Sequence, residues 1–553
     1  MQVAFPTQNR SSAHGIRDHY LHAANRKVKR MATGKGPATC FGRALLCTFL
    51  ASHPVRTRHL LMKQSHTRMG KRLLAALSVT VLSILLSCSE REKQPVQPDN
   101  TLRVVAPHRE RVSSALSPYG PGYEHELVMH FARQAGYDIE WIEASTMEDA
   151  LQALAERRGD LIVGYGGDIT AAPQTTTRHN DAPPPSPVVS GPAYGHYNPV
   201  LVHSTRRYGL RRGNEMCDTP VLVTADPELE EILEAKADTL ECVPMTEASQ
   251  DVYLTPILQS LDTNSARFAM LDNLGYSLWQ PFYPGVRTAK VLTQKIPYRW
   301  FWRGDDARLN EAALSFWAQR ENDSLLDDMQ ERYFGFLPEE VDRYDVALLR
   351  RALESKVPQY AQAIGNAARE QSIDPLLLIA VIYQESRFDA DARSKTGVRG
   401  LMMVTQDTAR LLGINRLDPE QSIRGGARYL RMLWDSLEDM ELDPWNRWFF
   451  TLAAYNQGPG HLFDAIKLSR ARGGTGRTWR ELKEVYPLLA WERWYSRTKH
   501  GYCRGFEAVA YVENIRFYYY ILNGLLTLAR PETEDLGPLL SGLPPDWPVG
   551  AGT

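Results

Sequence analysis

Apolar positions along this chain follow two rhythms, and the first runs from residue 101 to about residue 336. Short apolar runs of strand length alternate there with segments of helical spacing. The predicted strands are Leu102–Ala106, Ile139–Ile142, Leu161–Val163, Val221–Val223, Leu240–Val243, Phe268–Leu271 and Tyr298–Trp302. The predicted helices are Glu124–Gln134, Met147–Glu156, Pro227–Ala235, Ala307–Gln319 and Leu325–Tyr333. A proline cluster at 183–187 divides the alternation into two sets, which predicts two α/β lobes with a largely parallel sheet.

The second rhythm begins near residue 341, where apolar repeats have helical spacing and no strand pattern remains. Helices are predicted over Tyr344–Glu354 and Gln359–Gln371. A third helix begins after Asp374, because an N-cap aspartate accepts hydrogen bonds from free backbone N–H groups and Pro375 fits the first helical position. The sequence therefore predicts a multidomain protein in which an α/β domain is followed by an all-α domain over 337–530.

One acidic residue lies on an apolar face of this third helix. The residues on that face are Leu378, Val381, Ile382 and Glu385. Apolar surroundings, the lack of Lys or Arg one turn earlier and the partial negative charge of a helix C-terminus all raise a carboxyl pKa. Cleavage of a glycosidic bond needs an acid that stays protonated near neutral pH. The alternative is a Glu385 that is solvated or paired with Arg387 or Arg393.

The all-α part also contains four short motifs in sequence. They are Gln384-Glu385-Ser386-Arg387-Phe388, Gly397-Val398-Arg399-Gly400-Leu401-Met402-Met403, Ala453-Ala454-Tyr455-Asn456-Gln457-Gly458-Pro459-Gly460 and Tyr511-Val512-Glu513-Asn514-Ile515. In this order they resemble the motifs of family 1 lytic transglycosylases, the lysozyme-like domains of bacterial enzymes that cleave peptidoglycan. The resemblance spans about residues 374–520 and departs from the family pattern at Met403, where most members have Gln.

This resemblance implies that Glu385 is the catalytic acid of a peptidoglycan lytic transglycosylase, with no metal or other cofactor. It implies cleavage between N-acetylmuramic acid and N-acetylglucosamine with formation of a 1,6-anhydro product. The implied substrate-binding residues are Ser386, Gly400, Met402, Met403, Tyr455, Asn456 and Tyr511. Two alternatives stay open: a lysozyme-type hydrolase with Asp389 or Asp391 as a second carboxylate, and a muropeptide-binding sensor without catalysis.

Residue chemistry suggests how the glycines and methionines of the second motif would act. Gly397 and Gly400 would let the backbone approach a sugar closely. Met402 and Met403 would line a saccharide groove with flexible apolar side chains. For Met403, packing in the core is an equal alternative.

The polar residues of the remaining motifs would surround the acid. Tyr455 and Asn456 would hold the N-acetyl group of the substrate or orient Glu385. Tyr511 would hydrogen-bond Glu385 and help set its protonation state. Ser386 would support the substrate or the acid, with a capping hydroxyl as the alternative.

Three phrases in the α/β part belong together. They are Gly122-Tyr123-Glu124-His125-Glu126-Leu127, Gly159-Asp160-Leu161-Ile162 and Tyr333-Phe334-Gly335. They resemble periplasmic solute-binding proteins of the amino-acid-binding type, which implies a two-lobed domain over 101–336, and a muropeptide is our hypothesis for its ligand. Asp272 follows a predicted strand at a position where that family often has a ligand-facing acid, and a solvated loop residue is the alternative.

Charge distinguishes the N-terminal segments from the rest. Over the whole chain 64 Lys and Arg balance 65 Asp and Glu, so the overall charge does not indicate a nucleic-acid partner. Residues 1–68 are basic, and we interpret them as an upstream extension absent from the mature protein. The alternative is a basic tail that binds nucleic acid. Residues 69–88 have the basic start and short apolar run of a secretory signal. Their Leu-Leu-Ser-Cys ending resembles a lipobox, which implies a lipid on Cys88 and a location at the periplasmic face of the outer membrane.

The remaining segments are short. Residues 89–100 are predicted to be a linker, and residues 531–553 a tail. The six cysteines have no metal-ligand spacing, which agrees with the absence of a predicted metal site. Cys217 and Cys242 could pair in an oxidising compartment.

Overall fold

A computed structural model describes residues 100–167, 187–205, 218–224, 227–235, 245–248 and 254–529. Several predictions lie outside the described residues: Cys88, the segments 1–68, 69–88 and 531–553, nearly all of the linker 89–100, the strand Leu240–Val243 and the pair Cys217 and Cys242. The order of the two large parts is confirmed, since strands and helices alternate up to Phe334 and only helices follow.

The first lobe contains a sheet with the strand order β2-β1-β3-β12-β4 in the described residues. Its strands are β1 Thr101–Ala106, β2 Asp138–Glu143, β3 Leu161–Ile162, β4 Val188–Ser190 and β12 Phe301–Arg303. Its helices are α1 Tyr123–Ala135, α2 Met147–Ala155, α6 Ala307–Arg320 and α7 Leu325–Phe334. Helices α1 and α2 connect parallel strands, because a parallel crossover needs a long connection that returns over the sheet.

The second lobe has the strand order β10-β6-β9-β7-β8 in the described residues. Its strands are β6 Pro199–Ser204, β7 Val221–Val223, β8 Thr246–Ala248, β9 Phe268–Asp272 and β10 Val286–Val291. Its helices are α3 Pro227–Glu234, α4 Leu254–Thr263 and α5 Asn273–Trp279, followed by a 3₁₀ turn at Gln280–Phe282. Two further strands, β5 Gly195–Tyr197 and β11 Ile296–Tyr298, pair with each other in antiparallel fashion.

The prediction of largely parallel sheets is confirmed for β1, β2 and β3 and for β7, β8 and β9, but among the described strands each sheet also contains one that runs in the opposite direction. The chain passes between the lobes along β5 and returns along β11. The strands that follow these passages, β6 and β12, pair antiparallel to their neighbours β9, β10, β3 and β4. The same passage corrects another prediction: Tyr298–Trp302 is not one strand, since β11 ends at Tyr298 and β12 begins at Phe301.

The helical part begins with α8 Arg343–Ser355. The helices that follow are α9 Val357–Gln371, α10 Pro375–Ser386, α11 Gln406–Leu412, α12 Pro419–Asp435, α13 Pro444–Gln457, α14 Pro459–Ala471, α15 Trp479–Val485, α16 Glu492–Tyr495 and α17 Gly505–Ala529, with 3₁₀ turns at Glu438–Met440 and Tyr486–Ala490. Every residue from Pro375 to Tyr383 is buried, so α10 is enclosed on all sides and not along a single stripe. It packs against α9 and α17.

Helix α17 belongs to the core of the helical part and also contacts the α/β part. The Arg516 side chain is 1% exposed, and its guanidinium donates to the Glu331 carboxylate at 2.8 Å and to the Glu331 carbonyl at 2.6 Å. The Tyr119 hydroxyl of the first lobe donates to the Arg516 carbonyl at 2.6 Å. The Tyr520 hydroxyl donates to the carbonyl of Leu278 in the second lobe. These buried contacts join α17 to both lobes.

Candidate active site

Glu385 lies in the last turn of α10, where the helix emerges from the core. Asp374 fixes the opposite end of the helix, because its carboxylate accepts hydrogen bonds from the backbone N–H groups of Leu376 and Leu377. The helix ends at Arg387, whose φ of 51° lies in the left-handed region. Glu385 is half-buried, in contrast to the fully enclosed turns before it.

The Tyr511 hydroxyl donates a hydrogen bond to Glu385 Oε1 at 2.6 Å, so the contact predicted from the sequence is present. Tyr511 is 4% exposed and lies on α17, which packs along α10. Burial raises the pKa of Glu385 to about 7, and the hydrogen bond from Tyr511 lowers it. The carboxyl group is therefore balanced between its two protonation states near neutral pH.

The cations that could have held Glu385 in its charged form are engaged elsewhere or exposed. Arg387 forms an ion pair with Asp345 at 3.0 Å. Arg393 is exposed on the loop that follows α10. In the described residues, the perturbation of the Glu385 pKa comes from burial and from Tyr511. In the described part of the chain, Glu385 is therefore not held by an ion pair with Arg387 or Arg393.

The turn at 400–403 is shaped by protein contacts. Gly400 is buried with a φ of 86°, and a Cβ on it would come within 2.0 Å of the Arg416 carbonyl oxygen. The Arg416 backbone alone therefore requires glycine at this position. The approach of a sugar to Gly400 stays a prediction. Gly397, with a φ of 82°, has open space where a Cβ would stand. The Met403 N–H donates a hydrogen bond to the Gly400 carbonyl, which closes the turn, and Met403 adopts a φ of 46°.

Met402 does not line a groove through its side chain, contrary to the prediction. The side chain is 0% exposed and packs where a Cβ on Gly426 would stand. Its backbone carbonyl instead accepts a hydrogen bond from the Tyr455 hydroxyl at 2.8 Å. Met403, the next residue, is half-buried.

Tyr455 lies near the acid. Burial raises its pKa, and the negative charge of Glu385 adds to that increase. The next residue, Asn456, is exposed, and its Oδ1 accepts a hydrogen bond from Gln457. Together with Tyr511, these residues bring the third and fourth motifs to the end of α10.

Ser386 makes a local contact. Its hydroxyl donates to the Ile382 carbonyl at 3.3 Å, one turn back on α10. Asp389 and Asp391, the candidate second carboxylates, are both exposed, and the Asp389 carboxylate accepts the Asp391 backbone N–H. They occupy a turn just beyond α10.

Two supporting residues were missed by the sequence analysis. The Tyr429 ring lies 5.6 Å from the Tyr455 ring, and the Ser422 hydroxyl accepts a hydrogen bond from the Met402 N–H at 3.2 Å. Both lie on α12, seven residues apart and therefore on the same face. Outside any motif, that spacing is the only signal that links them.

Comparison with known proteins connects this arrangement to a family. The family model described as Transglycosylase SLT domain matches residues 362–476. Membrane-bound lytic murein transglycosylase F of Vibrio parahaemolyticus is 32% identical over 84% of this chain and 89% of its own length. The protein of the same name from Pseudomonas fluorescens is 32% identical over 83% of this chain and 92% of its own length.

Two solved structures are similar to a little under half of the chain. An ancestral arginine-binding protein bound to arginine covers 43% of it at 17% identity with a TM-score of 0.33. The GluR0 ligand-binding core from Nostoc punctiforme, in complex with glutamate, covers 42% at 12% identity with a TM-score of 0.33. Because this chain matches the two transglycosylase relatives over most of their length, it belongs to the family of membrane-bound lytic murein transglycosylase F.

Proposed function

We propose that in this protein, a peptidoglycan lytic transglycosylase, Glu385 acts first as general acid and then as general base. The observation that carries the proposal is a desolvated carboxyl group with a pKa of about 7 and a tyrosine donor, Tyr511, in place of a cation. A group poised near the working pH can both give and take a proton in one catalytic cycle.

In the first step, protonated Glu385 gives its proton to the oxygen that links C1 of N-acetylmuramic acid to N-acetylglucosamine. The C1–oxygen bond breaks, and N-acetylglucosamine leaves as an alcohol. The acetamido oxygen of the muramoyl residue stabilises C1, so that no second carboxylate is required. Tyr511 holds the carboxyl group in one orientation during this transfer.

In the second step, the muramoyl C6 hydroxyl attacks C1, and the Glu385 carboxylate takes the proton from that hydroxyl. A C1–O6 bond forms, which closes the 1,6-anhydro ring without consuming water. Glu385 is again protonated and ready for the next cleavage. Because the nucleophile belongs to the substrate, the site needs only one residue that transfers protons.

The other site residues serve binding and positioning in this proposal. Asn456 is exposed next to Tyr455 in the chain and offers an amide to the N-acetyl group. Met403 offers a half-buried apolar side chain. Tyr455 is engaged with the Met402 carbonyl, so its hydroxyl positions the 400–403 turn relative to α13. Gly400 gives that turn its shape, and Ser386 lies next to Glu385 in the last turn of α10.

Product analysis tests the proposal against its alternatives. Purified protein is incubated with peptidoglycan sacculi, and the masses of the released fragments are measured by mass spectrometry. The expected fragments end in 1,6-anhydromuramic acid, lighter by one water than the products of a lysozyme-type hydrolase. Glu385→Gln is expected to release none. Reducing ends would support hydrolysis, and no release by the unaltered chain would favour a sensor without catalysis.

The proposal also includes attachment to the outer membrane, facing the periplasm. Both relatives are named membrane-bound. Among the described residues no helix is long and apolar enough to cross a bilayer. A lipid on Cys88 would provide the attachment. Mass spectrometry of the N-terminal peptide from membrane-extracted protein is expected to show a modified Cys88, and an unmodified cysteine would remove this part of the proposal.

The α/β part is proposed to bind a muropeptide. Asp272 is not a candidate ligand residue there, because its carboxylate caps α5 and accepts the Gly275 N–H. Titration of muropeptides into the Glu385→Gln chain by calorimetry is expected to show saturable binding. Absence of heat at any concentration would leave this part as a spacer.

A further inference from the structure

Exposed aromatic side chains are concentrated in one stretch of the helical part. In the described residues, the exposed aromatic side chains are Tyr344, Phe463, Trp491, Tyr502 and Phe506. Three of these lie within residues 491–506, where Trp491 is 59% and Tyr502 57% exposed. Exposed large apolar side chains that are concentrated in one stretch of the chain are typical of a contact site. Phe463, Trp491, Tyr502 and Phe506 are called the aromatic surface below.

A buried carboxylate fixes this stretch to α14. Asp464 is 2% exposed, and it accepts the backbone N–H groups of Lys499 at 3.1 Å and His500 at 2.8 Å. Its chain neighbour Phe463 is a member of the aromatic surface. Because hydrogen bonds to a charged acceptor are among the stronger ones, the exposed rings are carried on an anchored backbone. Little ordering would be required when a partner binds.

Residues at one end of the aromatic surface are linked to the candidate active site by contacts along the chain. The Cys503 sulfur, next to Tyr502, lies 3.7 Å from Gln457 Oε1. The Gln457 amide in turn donates to Asn456 Oδ1 at 2.7 Å. Phe506 lies in the first turn of α17, the helix that bears Tyr511. The C-terminal end of the stretch, at residues 502–506, therefore meets elements that carry residues of the site.

The same stretch is positively charged. Residues 491–507 contain Arg493, Arg497, Lys499 and Arg504 against Glu492 and Glu507, which gives a formal charge of +2 without His500. Arg504 forms an ion pair with Glu507 at 2.9 Å. Peptidoglycan strands combine sugars, whose C–H faces pack on aromatic rings, with peptide stems that bear carboxylates. Flat apolar rings and cations on one anchored stretch match both features.

We propose that the aromatic surface and the cations of 491–504 form an accessory binding surface for a glycan strand that carries peptide stems. The rings contact sugars beyond those at the cleaved bond, and the cations contact stem carboxylates. This inference rests on the proposed function, because the surface would present the strand to Glu385. It assigns to the protein an affinity for polymeric peptidoglycan greater than the catalytic groups alone would give.

Sedimentation with insoluble sacculi tests the aromatic part. The full chain carries Glu385→Gln so that the sacculi stay intact, and the bound fraction is measured with and without Trp491→Ala and Tyr502→Ala together. We expect the double change to weaken binding about tenfold, since exposed aromatic anchors dominate such contacts. Tyr344→Ala, which removes a 72% exposed ring on α8, is expected to have no effect. Equal binding by the double variant and its parent would overturn the proposal.

A second binding experiment tests the role of the cations of 491–504. Arg497→Gln with Lys499→Gln is expected to weaken binding to sacculi but not to glycan strands whose stems an amidase has removed. The aromatic variant is expected to bind both poorly. Equal effects of the charge change on both materials would refute the assignment to stem carboxylates. Failure of the proposed function would be seen separately, as an unaltered chain that binds sacculi but releases no anhydro products.

Discussion

Two carboxyl groups, one in each large part of the molecule, are removed from water in different ways. Glu124 in the first lobe is 0% exposed and lies 2.8 Å from the Arg111 guanidinium. Glu385 in the helical part is half-buried and has a tyrosine as its partner. Burial raises the pKa of both groups. Each also accepts a tyrosine hydroxyl, from Tyr194 at 2.7 Å and from Tyr511 at 2.6 Å.

The neighbouring cation Arg111 distinguishes Glu124, a structural acid, from Glu385, an acid suited to proton transfer. Arg111 is 5% exposed and packs on the Tyr298 ring at 3.6 Å, so Glu124 and Arg111 balance each other inside a closed aromatic environment. Glu385 has no such counter-charge to commit it to one protonation state, and it remains accessible. A carboxyl group that must exchange protons with a substrate needs burial without a fixed ion pair.

Exchanging each acid for its amide should separate the two roles most strongly. Glu385→Gln is expected to reduce release of anhydro products by at least about a thousandfold, since general acid catalysis supplies factors of this size. Glu124→Gln is expected to leave turnover of the folded protein unchanged but to lower its stability by roughly 3–5 kcal/mol, because Arg111 loses its buried counter-charge. Product release per folded molecule and chemical denaturation measure the two effects.

These outcomes have clear opposites. A folded Glu385→Gln protein that still cleaves sacculi would remove Glu385 from the mechanism. A Glu124→Gln protein with unchanged denaturation would mean that the ion pair does not stabilise the first lobe. Circular dichroism of each variant checks that comparisons are made on folded protein.

The two tyrosines offer a second and smaller contrast. Tyr511→Phe removes the donor that lowers the pKa of Glu385, so the loss of activity on the alkaline side should move to higher pH. Turnover at its best pH should fall about ten- to a hundredfold, because the acid is less well oriented. Tyr194→Phe is expected to lower stability by about 1 kcal/mol and to leave the pH profile unchanged.

Rates measured from pH 5 to pH 9 distinguish these cases. If Tyr511→Phe lowered turnover but left the alkaline limb in place, Tyr511 would position the acid without influencing its protonation. If Tyr194→Phe moved the alkaline limb, Tyr194 in the α/β part would influence the protonation of Glu385 in the helical part.

Local patterns predicted the elements better than their arrangement. The strands β1, β2 and β9 and the helices α1, α6 and α10 follow directly from apolar spacing. The direction of a strand is not contained in its own spacing, however. It depends on where the chain enters a sheet, so the antiparallel β6 and β12 were missed. The division of the predicted strand Tyr298–Trp302 into β11 and β12 also depends on where the chain enters the sheet.

The site shows a similar division. Glu385 and Tyr511 could be named from the sequence because each is defined by its motif and by the face of its helix. Gly400 and Met402 were assigned to sugar contacts from their motif. The structure adds the Arg416 carbonyl as a neighbour of Gly400, and it buries the Met402 side chain against Gly426. Those neighbours lie 16 and 24 residues away in the chain. Contacts at such separation follow from packing, which short motifs do not encode.

The smallest expected difference between the two acids concerns stability as a function of pH. Glu385 has a pKa of about 7 in the folded protein and an ordinary value of 4.5. Below pH 4.5 both states are protonated, and the group has no net effect. As pH rises from 4.5 to 7, the unfolded state loses its proton first, so the folded state becomes relatively less stable.

Glu385→Gln removes this cost and should raise the melting temperature by about 2–5 °C at pH 8 but not at pH 4. Glu124→Gln should melt lower at pH 8, because Arg111 stays charged and unpaired in its buried site. Thermal melts at both pH values provide the measurement, and a Glu385→Gln curve displaced equally at both would show that burial of this carboxyl does not perturb its titration.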